Sequence, residues 1–497
     1  MKVIVAAALL AATGSIPASA QDSARAEYAD WTESDWSEAA RTDVLAAYRE
    51  FIENHPGVYD LANPGFLQQL GDARSAGLAA AEKATDRSGY ALALARFSSI
   101  LSDGHAQAFA VSAPVPSDAP RYWPGFVALW RGDRLLASKP DRSAILNGSQ
   151  ITACDGVPIE DFLRDRLQLR NFRPNEQGQW WVRPSQLFYS IGETTSIHPR
   201  ECTFALSDGE ELTRTLDWSV PDAEQRDFYG ESVFPAAEPT LISEPRDGIF
   251  VIGLGDFDPD EGMRAEYAAL YSAVESRRDE LLKARAIVLD MRGNNGGSSE
   301  WSRRLASILW GESALKSRAP TSEAIDWRVS PDTIAYLDEA TIEFRENGEL
   351  EIGDWLSKAT TEMKAARDAG EPLWRETEDK VSANPGQDVS AKTDFTAPVY
   401  VINWGLCASA CLDANDFFTL FDNTKLIGAP TSADSTYMEV RTVPLPAGPG
   451  QLVIPSKVYV GRPRGWGEIY EPDIEMDQLD WSTETFLDRI ETDLVSG

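Results

Sequence analysis

One serine in this chain stands where covalent chemistry is easiest to arrange. In VYVINWGLCASACLDANDFF, residues 399–418, Ser409 lies in a small-residue turn after the apolar run 398–403. A helix is expected from about 409 to 422, with Ala414, Phe417, Phe418 and Phe421 on its apolar face. A serine there is pushed out at the carboxyl edge of a sheet. Helix starts leave backbone N–H groups unpaired, and such donors can hold the oxygen of a tetrahedral intermediate. Serine is also a favoured helix cap, so the position has a second, purely structural reading. A capping box would want Glu or Gln at 412, where Leu412 stands.

A second segment, AIVLDMRGNNGGSSEW at 286–301, is a strand running into a glycine-rich turn. Gly293, Gly296 and Gly297 permit backbone conformations that other residues resist, so the turn can aim N–H groups at an anion. It lacks GxxxxGK[ST] and GxGxxG, which argues against a nucleotide-phosphate loop. A tight packing turn is the plain alternative.

A serine nucleophile needs a base, and the chain has 3 histidines: His55, His105 and His198. His105 follows a helix stop in LSDGHAQAF, beside a glycine that allows close approach. His55 precedes Pro56, and His198 precedes Pro199 in a β-rich stretch. None has ligand spacing to a cysteine pair, so a zinc site is disfavoured. No metal or organic cofactor is implied. Of the 4 cysteines, Cys407 and Cys411 flank Ser409, while Cys154 and Cys202 share a different region. A 154–202 bridge is the preferred pairing.

The elements that must position these residues form an α/β order. Residues 25 to about 112 read as helical, with Leu94, Phe97 and Leu101 at helical spacing. From 119 to 225 prolines and tryptophans rise among short alternating runs, as in a small β-rich domain. GIFVIGLGDF at 248–257, a helix with Met263, Tyr267, Leu270, Tyr271 and Val274 on one face, and AIVLD at 286–290 make a strand–helix–strand unit. Residues 311–395 are polar and charged and read as a helical insertion. The sheet resumes at 398–403 and near 426–427, and β-runs follow at 438–444 and 451–460.

The first 20 residues read as an export signal. Lys2 starts it, the apolar run 3–13 follows, and Ala18-Ser19-Ala20 is a small-residue cleavage site before Gln21. The run is short of the ~20 residues a membrane span wants. The expectation is a periplasmic or secreted protein with no integral membrane segment after cleavage, in which disulfides are permitted. A chain of 497 residues implies several domains, and 43% hydrophobic with 25% charged residues is a globular composition. A formal net charge of -33 disfavours nucleic acid and anionic membrane as partners.

Taken together these motifs resemble the C-terminal processing, or tail-specific, serine peptidases in the broad sense that includes the tricorn core. LDMRGNNGG at 289–297 is similar to that family's LDLRxNxGG. CASAC and its helix, followed by LIGAPTS at 426–432, resemble its SAxE-helix-(V/I)GxxT pattern. GEIYEPDIEM at 467–476 resembles its closing GxxPDI. ITACDGVPIEDFL at 151–163 is similar to its PDZ-like signature, and DGH at 103–105 to the histidine motif of the tricorn-like branch.

The resemblance implies a crotonase-like α/β catalytic core in two parts, 226–310 and 396–497, around the insertion 311–395. It places a PDZ-like domain at 119–225 and a helical region at 21–118. It implies a serine-type endopeptidase acting on peptides or unfolded proteins. Ser409 matches the nucleophile; Gly296 or Gly297, with the Ala410 N–H, matches the oxyanion hole. The processing branch carries a lysine base shortly after GxxT. Asp434 stands at that position, and Lys425 lies before the strand. An aspartate cannot replace a desolvated lysine as base, so the tricorn-like branch, with His105 as base, fits better. Glu468, with Glu471 second, is the expected orienting acid. Gly104 and Leu412 replace polar residues of the family pattern, and Asp413 follows the latter. Two other readings use the same scaffold: an inactive peptide- or ligand-binding protein, and a serine esterase.

Overall fold

The computed structural model describes residues 28, 30–111, 121–167, 172–191, 198–319, 322–376 and 391–496. The expected leader at 1–20 and its cleavage point lie outside them. No helix among the described residues is long and apolar enough to cross a membrane.

Three apolar runs build the centre. Ile249–Gly253, Ala286–Asp290 and Val399–Asn403 are buried at every position, as strands covered on both faces must be. They lie side by side in parallel register, and Thr424–Gly428 and the short Ile474–Glu475 extend the same parallel sheet. Ile242–Arg246 closes the other edge, antiparallel to Ile249–Gly253. Helix Glu261–Ser276 crosses between the first two parallel strands. It buries Tyr267, Leu270, Tyr271 and Val274 and is capped by Asp260, whose side chain accepts the Met263 N–H.

A second sheet was only half expected. Its backbone is the long strand Gly450–Val460, which pairs with Tyr437–Pro444, with Gln107–Ala110 and with Ala324–Arg328; Leu373–Glu376 adds to the last. The stretch 311–395 was read as helical. It holds the helices Pro331–Glu346 and Leu350–Asp368, but also the two strands Ala324–Arg328 and Leu373–Glu376. Those strands carry charges that neutralise each other across the ladder. Asp326 lies opposite Arg375 and pairs with it at 2.7 Å.

The stretch expected to be helical holds helices Glu33–Asn54, Phe66–Ala81 and Arg87–Leu101, but its end, Gln107–Ala110, is a strand, because it pairs with Gly450–Val460. The last helix ends on Ser102 in the left-handed region. The β-rich region forms an antiparallel sheet ordered Val127–Arg131, Arg134–Ser138, Gln150–Cys154, Glu201–Ala205, Glu211–Thr215. Cys154 and Cys202 sit opposite each other in it and are bridged, Cα to Cα 4.1 Å. That is the pairing preferred from the sequence. It closes a loop 48 residues apart. The Cys154→Ser/Cys202→Ser double variant should lose about 4 kcal/mol of stability in that domain, read from its denaturant midpoint.

Candidate active site

Ser409 is held in a conformation that serine resists. Its φ is 54° and its ψ -126°, the geometry of the first central residue of a type II′ turn, where glycine usually stands. It precedes helix Ala410–Phe418 as the capping residue, yet its side chain makes no capping bond. The structural reading of this serine is therefore not realised, and the half-buried hydroxyl is left for other work. Its backbone N–H donates to Asp434 Oδ1 at 3.1 Å. Its carbonyl accepts from Leu412 and Asp413. None of these bonds uses the Ala410 N–H, the first donor of the helix.

Several ties hold this turn. A disulfide joins Cys407 to Cys411 across Ser409, with Cα atoms 5.3 Å apart, and both cysteines are fully buried. Asn403 at the strand end and Asn415 in the helix exchange side-chain amide bonds of 2.9 and 3.0 Å. Asn415 also donates to the Cys411 carbonyl.

The glycine turn lies directly against the serine. A Cβ on Gly296 would come within 2.7 Å of the Ala408 carbonyl oxygen, 2.8 Å of Ser409 Cβ and 3.2 Å of the Ala410 nitrogen. One on Gly297 would meet the Phe257 carbonyl oxygen at 2.1 Å. The turn is fixed from both ends. Asp290 and Arg292 form a buried ion pair at 2.6 Å. Asn294 donates to Leu254, its carbonyl accepts from the Trp404 indole, and its side-chain oxygen takes the Gly296 N–H at 2.9 Å. The Gly296 donor is thus already in use. The Gly297 N–H enters none of the backbone bonds of the turn, and its neighbour Ser298 donates to Phe257.

His105 reaches this end of the molecule through the second sheet. Gln107–Ala110 pairs with Gly450–Val460, which also pairs with Tyr437–Pro444. The latter strand leaves the loop 431–435 that holds Asp434. The His105 N–H donates to Asp103 Oδ1 at 2.8 Å. From the β-rich region, Glu176 pairs with Arg173 and accepts the Ala433 N–H, and Gln179 donates to Ser432. A Cβ on Gly104 would sit 3.6 Å from the Arg173 guanidinium. Residues 103–105, 173–179 and 431–435 therefore converge beside the serine turn. Its backbone N–H is thus tied to the Asp103 carboxylate of its own turn, while its buried Nδ1 has no partner among the described residues.

The other sequence candidates have partners or settings of their own. His55 is buried, accepts the Gly57 N–H on Nδ1 and stacks on Phe66; burial pushes its pKa well below the usual range, so it is neutral. His198 Nδ1 bonds the Leu187 carbonyl. Lys425 pairs with Asp493 at 2.6 Å. Glu468 is exposed, and its carboxylate accepts the Gly465 N–H at 2.9 Å. The same turn donates the Gly467 N–H to the Asp434 carbonyl. Glu471 is exposed.

Sequence reasoning missed the charged network behind the helix. Arg464 bonds Asp413 at 2.6 Å, Asp416 at 3.1 Å and Asp434 at 3.4 Å, and Arg462 also bonds Asp413. Burial pushes the Asp413 carboxyl up, but Arg462 and Arg464 more than offset it and hold it below the usual range. Two arginines in GRPRG at 461–465 were the available signal.

No protein-family model matches the sequence, and no curated protein does. Solved structures do. Mature CPAF superposes with a TM-score of 0.59 at 14% identity, over 93% of this chain and 98% of that one. The chain shares the fold of CPAF. The complex of mature CPAF with lactacystin gives 0.58 at 15% identity, covering 93% and 99%. A serine-to-alanine mutant of CPAF gives 0.52 at 12% identity, covering 88% and 93%. Because CPAF is matched nearly end to end, the likeness extends to the helical and β-rich regions as well as the central sheet.

Proposed function

We propose that this chain is an exported serine peptidase that cleaves peptides or unfolded proteins through an acyl-enzyme on Ser409. The observation that carries the reading is the serine itself. It is strained, it does not cap its helix, and it is pressed against a glycine turn whose next free donor is the Gly297 N–H. Strain of this kind persists where the surrounding structure over-determines it, as at reactive sites. Two disulfides suit an oxidising compartment.

His105 takes the proton from Ser409 as its oxygen attacks the peptide carbonyl. The Gly297 and Ala410 N–H groups receive the oxyanion, with Gly296 setting the close approach that aligns them. His105 then protonates the leaving amine, and water hydrolyses the acyl-enzyme. Glu468 acts at a remove, fixing the turn that donates to the Asp434 carbonyl. The outer strand Glu211–Thr215 of the β-rich region, exposed and paired on one side only, offers an edge for an extended peptide.

The test is digestion of an unfolded protein by the purified chain, with fragments read by mass spectrometry, and labelling by a fluorophosphonate located by peptide mapping. Cleavage with label on the Ser409 peptide is expected. Neither cleavage nor label across several substrates would move the binding-protein reading ahead. Label with turnover of esters but not amides would favour the esterase.

The Cys407–Cys411 bridge should matter to rate more than to binding. A Cys407→Ser/Cys411→Ser variant frees both ends of the turn, and a displacement near 1 Å costs about 10²-fold. The expected result is a fall in kcat of about that size with KM little changed, measured on a peptide substrate.

A further inference from the structure

Buried polar atoms without a hydrogen-bond partner among the described residues occur at several places in the fold. Arg441 Nε and Nη2 lie near Glu50 and Asp332 and are accounted for by those carboxylates. His55 Nε2 is enclosed by aromatic rings. One pair is different in kind. Asp103 Oδ2 and His105 Nδ1 are both buried, both without a partner among the described residues, and only two residues apart. One is an acceptor and the other can carry a proton.

We propose that Asp103 is the positioning residue that orients His105, its Oδ2 accepting the Nδ1–H of the imidazole so that Nε2 is the nitrogen left for Ser409. The turn is built for this. Asp103 Oδ1 already clamps the backbone N–H of His105 at 2.8 Å, which fixes carboxylate and imidazole in one short loop. Turning the imidazole so that its Nδ1–H meets Oδ2 would pair the two orphaned atoms and relieve the cost of burying each alone. The Ser435 hydroxyl is shared between Asp103, whose carboxyl it helps to hold down, and Tyr437, whose carbonyl accepts from it and whose N–H donates to it. The acid expected from the sequence, Glu468, is exposed and occupied by Gly465.

The charge arrangement is consistent with the geometry. Burial raises the Asp103 carboxyl, and His105, Ser435 and Arg173 act against that rise. Arg173, its partner Glu176, and Asp434 are the other charged groups at this junction, and Tyr437 borders it. An imidazolium formed at His105 during the reaction would face a carboxylate held out of water. The proton taken from Ser409 stays on Nε2 until it passes to the leaving amine; Asp103 remains ionised throughout.

The inference rests on the peptidase reading for its consequence, but its core is tested without turnover. In a Ser409→Ala background, the chain's 3 histidines can be followed by NMR through a pH titration. Asp103→Asn keeps an oxygen for the His105 N–H and removes the charge. The His105 midpoint should fall by about one unit or more, with His55 and His198 unmoved. An unchanged midpoint in a folded variant overturns the proposal. Should Asp103→Asn fail to fold, Asp103→Ser also retains an acceptor for the His105 N–H and must show the same fall. With Ser409 present, Asp103→Asn should lower kcat by about 10³–10⁴ near neutral pH, because the amide favours the wrong tautomer. KM should stay within about twofold, while Glu468→Gln should cost less than about tenfold. If the titration shifts and the parent protein cuts nothing, the pair stands and the peptidase reading falls.

Discussion

Alanine at Ser409 is expected to lower kcat by about 10⁴ or more and to leave the fold intact. The loss is that large because no neighbour can supply a replacement nucleophile, so only the oxyanion donors and binding remain. The fold survives because the hydroxyl does not cap its helix. Glycine at the same position separates function from stability. It removes the nucleophile equally, but it also removes the penalty for a side chain at φ 54°. Such strain costs on the order of 1–3 kcal/mol, against roughly 0.5–1 kcal/mol for the added freedom of an unfolded glycine. Ser409→Gly should therefore be inactive and about 1 kcal/mol more stable than the parent. Peptide turnover and denaturant midpoints measured on parent, alanine and glycine forms decide it. A glycine variant less stable than the alanine variant would mean that the turn is not strained.

The sequence and the structure agree where order is local. Apolar runs such as 286–290 and 399–403 read directly as buried strands, and the helix after Ser409 shows its face in Ala414 and Phe418. Cys154 and Cys202 fell in one small region, which favoured the bridge that forms. Long-range order was not legible. AIDWR at 324–328 looks polar because Asp326 is balanced by Arg375, 49 positions later. Nothing near Gln107 announces that it pairs with Val453. The same limit applied to the site. Asp434 could be read only as a lysine that is absent, whereas its contact with the Ser409 N–H depends on a loop 25 residues away. The place of Glu468 near a motif carries no sign of its exposure.

The Ser409 turn is over-determined by ties from unrelated parts of the chain, and that explains how its strain is held. The disulfide and the Asn403–Asn415 pair lock strand to helix. Asp434 clamps the Ser409 N–H, and Arg464 holds Asp434 and the helix acids Asp413 and Asp416 at once. Ser432 bonds the Gly405 carbonyl at 3.0 Å, and Gln179 bonds Ser432. Residues from the β-rich region thus brace the serine turn. A ligand that moves that region has a physical route to Ser409 through Glu176, Gln179 and the loop 431–435.

Gly296→Ala should be nearly as damaging as the loss of an oxyanion donor, although Gly296 itself donates to Asn294. Its added methyl would sit 2.7 Å from the Ala408 carbonyl oxygen and 2.8 Å from Ser409 Cβ. Neither neighbour is a flexible side-chain end. The Ser409 turn is held by the disulfide and Asp434, so the glycine turn must yield, carrying the Gly297 N–H away from Ala410. At φ 114° the alanine is strained as well. Together these should cost about 10²–10³ in kcat. Gly293→Ala is the matched control. It also has a positive φ, 76°, but its methyl would meet only the Pro235 carbonyl oxygen, at 3.4 Å. It should lose about 1 kcal/mol of stability and keep most of its rate. Measuring kcat, KM and the fluorophosphonate labelling rate for both variants separates backbone strain from the contact with Ser409. Equal rates in the two would show that the approach of Gly296 to the serine is not what aligns the site.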